Sequence, residues 1–425
     1  MLILLFVLLF GLIALGTPVA IALAGSSAVF ILVTGQVPEM VVAHRMINGV
    51  DSFPLLAVPF FILAGNLMNT AGITTRIFAF ARALVGWMRG GLGHVNVGAS
   101  VIFAGMSGAA VADAGGLGAI EIKAMRDANY DPGFAVGVTA ASSTIGPIIP
   151  PSLPMVIYGV VGGASIGQLF AAGFIPGLLM AGALMVMIWW YARRRGYPRD
   201  QAFRFSTLGR SFAHAFLSLL TPVIIVGGIL FGVFTPTEAA IAACAYALFL
   251  GLFVYRTLTW PRFLRVSFDT IETTAVVLFI VGGASIFAWI LTSNRAPEAF
   301  AAGLLALTEN PIILLLLINL ILLIVGCFLE TVAAITILVP VLLPIAVQLG
   351  VDPVHFGVLM VLNLMIGLLT PPIGMVLYVL SRVAKLPFEQ CVVATAPFLV
   401  PLVIVLLLVT YVPALTMWLP TLIYR

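Results

Sequence analysis

Long apolar runs separated by short polar stretches fill most of the chain, and they recur in the same order in both halves. Each half predicts two apolar helices that meet at a Thr-Pro pair, a third apolar helix, a shorter polar arm helix, two short paired helices, an interrupted apolar run and a closing helix. The predicted elements of the first half are 2–16, 18–34, 54–70, 72–90, 94–126, 134–162 and 169–191. Those of the second half are 214–234, 236–254, 270–292, 294–309, 312–348, 354–380 and 389–418.

The interrupted run of each half carries a glycine and a proline pair where its helix should open. The two stretches read Ala141-Ser-Ser-Thr-Ile-Gly-Pro-Ile-Ile-Pro-Pro-Ser152 and Gly367-Leu-Leu-Thr-Pro-Pro-Ile-Gly374. Proline lacks an N–H and glycine weakens a helix, so each residue leaves backbone groups without a helical hydrogen-bond partner. Such unpaired groups cannot face lipid. A simple proline kink would account for one such run. Two of them favour the broken helices that mark the midplane site of many secondary transporters.

Composition assigns the chain to a membrane. Of its 425 residues 62% are hydrophobic and 8% are charged, and the mean hydropathy is +1.23. These values exclude a soluble domain and fit an all-α polytopic membrane protein, while a barrel would show short alternating segments that the sequence lacks. The scattered cysteines and histidines have no ligand spacing, so we expect small core cysteines, no transition metal and no organic cofactor. The net charge of +4 comes from loop arginines and gives no reason to expect nucleic acid.

An internal duplication explains why the two halves predict the same elements. The second half aligns on the first at a nearly constant offset, and each pairing keeps its place in the order. Thr17-Pro18 corresponds to Thr235-Pro236, Asp131-Pro132 to Asp352-Pro353, Gly146 to Gly367, and Pro150-Pro151 to Pro371-Pro372. We therefore predict two repeats, 1–192 and 214–425, which are joined by an arginine-rich cytoplasmic linker at 193–213.

The paired short helices predict re-entrant hairpins at 94–126 and 312–348. The arms of the first hairpin, about 12 and 15 residues, are shorter than the roughly 20 residues that cross a bilayer. Counting each hairpin as zero crossings leaves five crossings in each half, and this odd number makes the two repeats inverted. With both termini outside, 16 of the 19 lysines and arginines lie in cytoplasmic segments, as the positive-inside rule requires.

Several motifs resemble the large membrane subunit of TRAP (tripartite ATP-independent periplasmic) transporters along essentially the whole chain. They are Phe103–Asp113, Asp131-Pro132, Ala141–Tyr158, Asp352–Gly357 and Gly367–Gly374. The resemblance implies an elevator-type, sodium-driven importer of organic acids, such as C4-dicarboxylates, sialic acids or other sugar acids. It also implies a bacterial inner-membrane location with periplasmic termini, a small four-helix membrane subunit and a periplasmic substrate-binding protein. Residue 2 already opens the first helix of the repeat, so we expect the small subunit to be a separate chain.

Each hairpin tip that faces a broken helix offers carbonyl and hydroxyl oxygens to a sodium ion. The candidate sodium ligands are Ser107, Gly108, Ser143, Thr144, Gly146 and Pro147 in the first half, and Gly326, Thr331, Gly367, Thr370 and Pro371 in the second. Helix N-termini near the tips favour anions. The candidate substrate-binding residues are Ser107, Ala109, Asp113, Pro150, Ser152, Glu330 and Pro372. The alternative for the hydroxyls is that they cap helices or bond to preceding carbonyls.

The acidic residues near the tips are functional candidates because ionisable groups at membrane depth rarely serve packing alone. Asp113 lies at the first tip, where its alternative is a helix N-cap. Glu330 lies at the second tip, at a position where the family pattern has Asp. Glu121 lies nearer the base of the first hairpin, and we expect it to form an interfacial ion pair with Lys123 or Arg126.

Two other functions compete with the TRAP interpretation. Gly105-Met-Ser-Gly108 fits the G-x-S-G pattern of rhomboid intramembrane proteases, in which a serine nucleophile pairs with a histidine on another helix. The histidines here lie at predicted segment ends, and a protease has no use for a second inverted hairpin. A stand-alone divalent-anion:sodium symporter is the other alternative, and it would work without a binding protein.

Overall fold

The computed structural model describes residues 2–35, 37–200, 202–308 and 310–424, and it describes 105–107, 301 and 304–307 by their backbone alone. These residues form 21 α-helices, and the only β pairing among them is an isolated bridge between Arg89 and Arg199. The helices are α1 (Leu2–Ala14), α2 (Val19–Thr34), α3 (Met40–Val50), α4 (Ala57–Thr70), α5 (Ile73–Val85), α6 (Gly91–Ser107), α7 (Ala110–Gly115), α8 (Leu117–Asp127), α9 (Pro132–Ser143), α10 (Leu153–Gly162), α11 (Ile166–Arg195), α12 (Phe205–Leu230), α13 (Pro236–Phe249), α14 (Trp260–Ser293), α15 (Ala296–Leu307), α16 (Pro311–Phe328), α17 (Thr331–Gln348), α18 (Pro353–Gly367), α19 (Met375–Ala384), α20 (Phe388–Tyr411) and α21 (Ala414–Ile423). A 3-10 turn at Phe53–Leu56 precedes α4, and a π turn at Leu250–Val254 follows α13.

Eight helical segments of the described chain are long and apolar enough to cross a membrane. They are α4 with its preceding 3-10 turn, α11, α12, α13 with its π turn, α14, α16, α17 and α20. A helix rises 1.5 Å per residue, so about 20 residues cross the hydrocarbon. The prediction of an all-α polytopic membrane protein is confirmed.

Both interrupted runs are broken helices, at nearly the predicted positions. The first consists of α9 and α10 with a non-helical stretch at 144–152 between them, and the second of α18 and α19 with a stretch at 368–374. Each begins at an Asp-Pro pair whose aspartate caps the first turn, since Asp131 accepts a hydrogen bond from the Phe134 N–H and Asp352 from the Val354 N–H. Both proline pairs, Pro150-Pro151 and Pro371-Pro372, contain a cis peptide bond.

The arms of the first hairpin are longer than the sequence predicts. The first arm, α6, has 17 residues, and the return consists of α7 and α8 with an interruption at Gly116. In the second hairpin α16 and α17 have 18 residues each, which is long enough by length and composition to cross a membrane. The estimate for the first hairpin was too short because α6 begins earlier, at Gly91, and continues through Ser107. The helices α16 and α17 of the second hairpin, by contrast, lie within one residue of the predicted range 312–348. The re-entrant path itself stays a prediction.

The linker is shorter than the predicted range 193–213, since α11 continues to Arg195 and α12 begins at Phe205. Three arginines at the end of α11 stack on aromatic rings one turn earlier, which keeps them helical. Arg194, for example, lies 4.2 Å from the centre of the Trp190 ring. Gly196 then ends the helix with a φ of +69°. Within the linker, the Asp200 carboxylate accepts from Nε and Nη2 of Arg82, at 2.6 and 2.7 Å, and this ion pair joins the linker to α5.

The two halves are interlocked through their hairpins and broken helices. The second part of the first broken helix, α10, packs against the second hairpin through α17. Correspondingly, α19 of the second broken helix packs against α7 and α8 of the first hairpin. Helices α2, α3 and α4 pack on α14, and α13 packs on α4. Each broken helix is therefore supported by the hairpins of both halves.

Candidate translocation site

The first hairpin tip touches the first broken helix backbone to backbone. Gly108 ends α6 in the left-handed conformation, with a φ of +60°, and it is buried. A Cβ atom at Gly108 would lie 2.9 Å from the Pro151 carbonyl oxygen and 3.1 Å from the Leu153 nitrogen. Only glycine permits both the conformation and the approach. The tip and the break predicted to form one cluster are therefore in contact.

Asp113 lies against the other end of the same break. It is 2% exposed, and its carboxylate packs on Gly146, where a Cβ atom would collide with it. The N-cap residue of α7 is Ala109, while Asp113 stands further along the helix. The N-cap alternative for Asp113 is therefore wrong, and its carboxylate belongs to the cluster around Gly146.

The hydroxyls of the first break are buried and already bonded. Ser143 donates to the Ala140 carbonyl at 2.8 Å, and Thr144 donates to the Ala141 carbonyl at 2.6 Å. A hydroxyl that donates its hydrogen keeps lone pairs on oxygen, so this bonding to preceding carbonyls is compatible with binding a cation. Ser152 has a different role, because it donates to the Pro147 carbonyl and accepts from the Met155 N–H at 3.2 Å, which caps α10. The Ser107 side chain lies outside the described residues.

Two further substrate candidates differ in their surroundings. Pro150 is buried within the break. Ala109 lines a cavity of about 170 Å³ beside the tip, together with Asn66, Asn69, Ala112, Leu153 and Thr273. The cavity places two side-chain amides next to the first tip.

The second tip repeats the backbone contact with different residues. A Cβ atom at Gly367 would lie 2.6 Å from both the Cα and the carbonyl carbon of Gly326. Thr370 donates to the Gly367 carbonyl at 2.8 Å, and its hydroxyl lies 2.9 Å from the Cys327 sulfur. Cys327 lies at the tip, as the sequence predicts, and it faces the break rather than serving packing alone. Thr331 is buried as the first residue of α17.

Glu330 caps the helix that leaves the second tip. Its carboxylate accepts from the Val332 N–H at 2.8 Å and the Ala333 N–H at 3.3 Å. The two breaks also differ in exposure, because Pro371 and Pro372 are exposed while Pro150 and Pro151 are buried. The structure thus gives Glu330 a capping function, and a contact with substrate stays a prediction.

A buried asparagine on each hairpin, which the sequence reading missed, ties the hairpin to its broken helix. The Ser142 hydroxyl donates to the Asn96 oxygen at 2.5 Å, and the Asn363 amide donates to the Asn319 oxygen at 2.9 Å. All four residues are buried, so each bond links two helices inside the protein. The signal in the sequence was an asparagine within the first, apolar helix of each predicted hairpin.

Glu121 was predicted as a member of an interfacial ion pair, and this prediction is wrong. It is 2% exposed and accepts from the Asn96 amide at 2.8 Å. Its presumed partner Arg126 instead donates to the Ala384 carbonyl at 3.1 Å. Helix α8 turns Glu121 toward α6 and α9 rather than toward the membrane surface, since Leu117, Ile122 and Met125 on the same helix are buried.

Comparisons with known proteins agree with this architecture. Residues 6–415 match the family model described as "Tripartite ATP-independent periplasmic transporter, DctM component". The chain is 53% identical over 412 residues to the sialic acid TRAP transporter large permease protein SiaM of Vibrio cholerae, covering 97% of this chain and 96% of SiaM. It is 44% identical to the sialic acid TRAP transporter permease protein SiaT of Haemophilus influenzae, covering 96% of this chain and 66% of SiaT.

A solved structure supports the fold independently. The Alcanivorax borkumensis YdaH transporter, described as having an unusual topology, matches with a TM-score of 0.65 at 14% identity, over 88% of each chain. The relatives are named as transporter permeases, so the protein is a transporter subunit and the protease alternative is set aside. The chain belongs to the tripartite ATP-independent periplasmic transporters, as their large membrane permease component.

Proposed function

We propose that the protein is the translocating subunit of a sodium-coupled importer that carries a sialic acid or a related carboxylated sugar. The contact between hairpin tip and broken helix is the observation that supports this proposal best. In each repeat the hairpin tip touches the broken helix through glycine backbones, at Gly108 in the first and at Gly326 and Gly367 in the second. Freed carbonyls and nearby hydroxyls at these contacts supply the oxygen ligands that a dehydrated sodium ion requires.

Sodium binding would draw each tip and its broken helix together. In the first cluster the hydroxyl oxygens of Ser143 and Thr144 and the carbonyls of the break are the ligands. In the second cluster Thr370 and the carbonyl of Gly367 have the corresponding roles. An ion that binds both partners of a contact stabilises the closed arrangement by its differential affinity.

The movement is of the elevator type. The hairpins and broken helices support one another across the two repeats, through α10 with α17 and α19 with α7. They move as one body against the remaining helices, which pack around α14 and α13. Because each ion cluster lies within the moving body, ions and substrate travel together with it.

The substrate class and partners follow from the relatives. SiaM and SiaT are both named for sialic acid, which carries one carboxylate on a sugar ring. In this family the large permease works with a small membrane subunit and a periplasmic binding protein, so we propose both as partners. The location is the bacterial inner membrane, with both termini in the periplasm and the 193–213 segment in the cytoplasm.

Reconstitution tests this proposal. Liposomes that contain the chain and its small subunit, supplied with the loaded binding protein, should accumulate labelled sialic acid when sodium is high outside. Replacing the sodium gradient by a potassium gradient should abolish accumulation. Equal uptake without sodium contradicts the coupling, and strong uptake by the chain alone supports the stand-alone symporter instead.

A further inference from the structure

A polar cleft, separate from the clusters at the two tips, lies between α3 and α14 on one side and α10 and α17 on the other. It has a volume of about 650 Å³, within the range of small-molecule sites, and its walls are α3, α10, α14 and α17. The residues that give it polar character are Arg45, Asn48, Ser52, Ser285, Trp289, Thr292 and Thr336. In the proposed orientation the cleft opens toward the periplasm, where substrate arrives.

The only charged side chain that lines this cleft among the described residues is Arg45. Its guanidinium lies over the Trp289 ring, 5.2 Å from the ring centre. A cation–π contact of this kind uses no hydrogen bond to an oxygen acceptor, so the N–H groups of Arg45 can still donate to one. Neither ion pair found in the described chain includes Arg45. The arginine is held in place by the indole while its donors remain available.

Close helix packing fixes the position of Arg45 at the cleft. Gly49, one turn later on α3, lies against Ser285 of α14, where a Cβ atom would overlap the serine side chain. This approach brings α3 onto α14 beside Trp289. Helix α3 itself buries none of its residues, so Arg45 stays reachable from water.

The inner end of the cleft leads toward the second tip cluster. Thr336 lines the cleft and lies five residues after Thr331, which is about 7.5 Å along α17. The cleft therefore reaches to within about one and a half turns of α17 from the second tip.

We propose that Arg45, stacked on Trp289, binds the carboxylate of the incoming acid in this cleft before the acid reaches the tip clusters. The ligand class is a carboxylated sugar, whose hydroxyls would meet Asn48, Ser52 and Thr336. A planar guanidinium suits this role because it binds a carboxylate through two parallel hydrogen bonds. The proposal rests on the transport function above, and its test also includes a binding measurement.

The first measurement is uptake kinetics with Arg45→Gln, in the reconstituted complex with sialic acid and the binding protein. We expect the half-saturating concentration of loaded binding protein to rise about tenfold in Arg45→Gln, while the maximal rate stays within twofold of wild type. The half-saturating concentration of Arg45→Lys should lie between those of wild type and Arg45→Gln. Arg210→Gln is the matched control, because it removes the same charge from an exposed residue outside the cleft. An Arg45→Gln variant that behaves like Arg210→Gln, or that loses only maximal rate, overturns the proposal.

The second measurement is direct binding to the purified complex without binding protein. The contribution of Trp289 to the fluorescence is the part that is missing in Trp289→Phe. Sialic acid should quench this contribution in the wild-type complex, and Arg45→Gln should abolish the quenching. If quenching depends on Arg45 but wild type takes up no sialic acid, the cleft proposal stands and the proposed function fails. Quenching that is absent in wild type, or unchanged in Arg45→Gln, contradicts the cleft proposal.

Discussion

At the scale of single residues, the site depends on glycines that bring two backbones into contact. Glycines at the hairpin tips and next to the breaks are visible in the sequence, where a need for backbone flexibility would explain them. The structure adds a steric reason, because the neighbours of Gly108 and Gly367 are backbone atoms that cannot rotate away. A neighbouring side chain could rotate away from an added Cβ atom at low cost. A neighbouring backbone cannot, so an added Cβ atom would push the tip and the broken helix apart.

Gly367→Ala tests this steric reason. Its Cβ atom would lie 2.6 Å from Gly326, so the second tip must shift, at a cost of about 1–3 kcal/mol in the free energy of unfolding. We expect the sodium concentration for half-maximal uptake to rise at least tenfold, measured in proteoliposomes. Gly182→Ala is the control, since a Cβ atom there meets nothing within 4 Å. Equal sodium dependence in the two variants would refute the role of the Gly326–Gly367 contact.

At the scale of elements, the broken helices were predictable from the sequence, whereas the arm lengths of the first hairpin were not. Proline, glycine and Asp-Pro caps act locally, so α9, α10, α18 and α19 follow the sequence closely. The ends of α11 and α12 depend on stacking and ion pairing across the linker, which no local pattern reveals. Helix α3 was missed because its 11 residues form a short amphipathic helix on the surface.

The amides that join hairpins to broken helices give a prediction at this scale. Asn96→Ala would remove the amide that donates to the buried Glu121 carboxylate, at a cost of about 1–3 kcal/mol. It would also leave the Ser142 hydroxyl only its 3.2 Å bond to the Thr139 carbonyl. We expect a clear loss of thermal stability, measured on the purified subunit in detergent. The double variant Asn96→Ala/Ser142→Ala should lose less than the sum of the single variants, because the two residues share one bond. Additive losses would show that the bond contributes nothing to the hairpin–helix contact.

At the scale of the whole molecule, the inverted arrangement is a prediction from charge and from the number of crossings. Cysteine labelling tests it with Ala202→Cys in the linker and Glu39→Cys between α2 and α3, both at exposed positions. Asp200 is unsuitable because it is paired with Arg82. We expect a membrane-impermeant maleimide to label Glu39→Cys in intact cells and Ala202→Cys only after permeabilisation, with the wild-type chain as the background control. Reversed accessibility would exclude the proposed orientation.

The central claim is that sodium binds where each hairpin tip meets its broken helix. Hydrogen–deuterium exchange of the purified complex, compared in sodium and in potassium, tests it most directly because exchange reports local opening. Sodium should protect 141–152 and 367–374 saturably, Thr144→Ala should weaken only the first protection, and Thr370→Ala only the second. Removing one oxygen ligand should raise the sodium concentration for half-maximal protection about tenfold, or ~1.4 kcal/mol. Exchange that is identical in both salts, or protection unaffected by either variant, would contradict the claim.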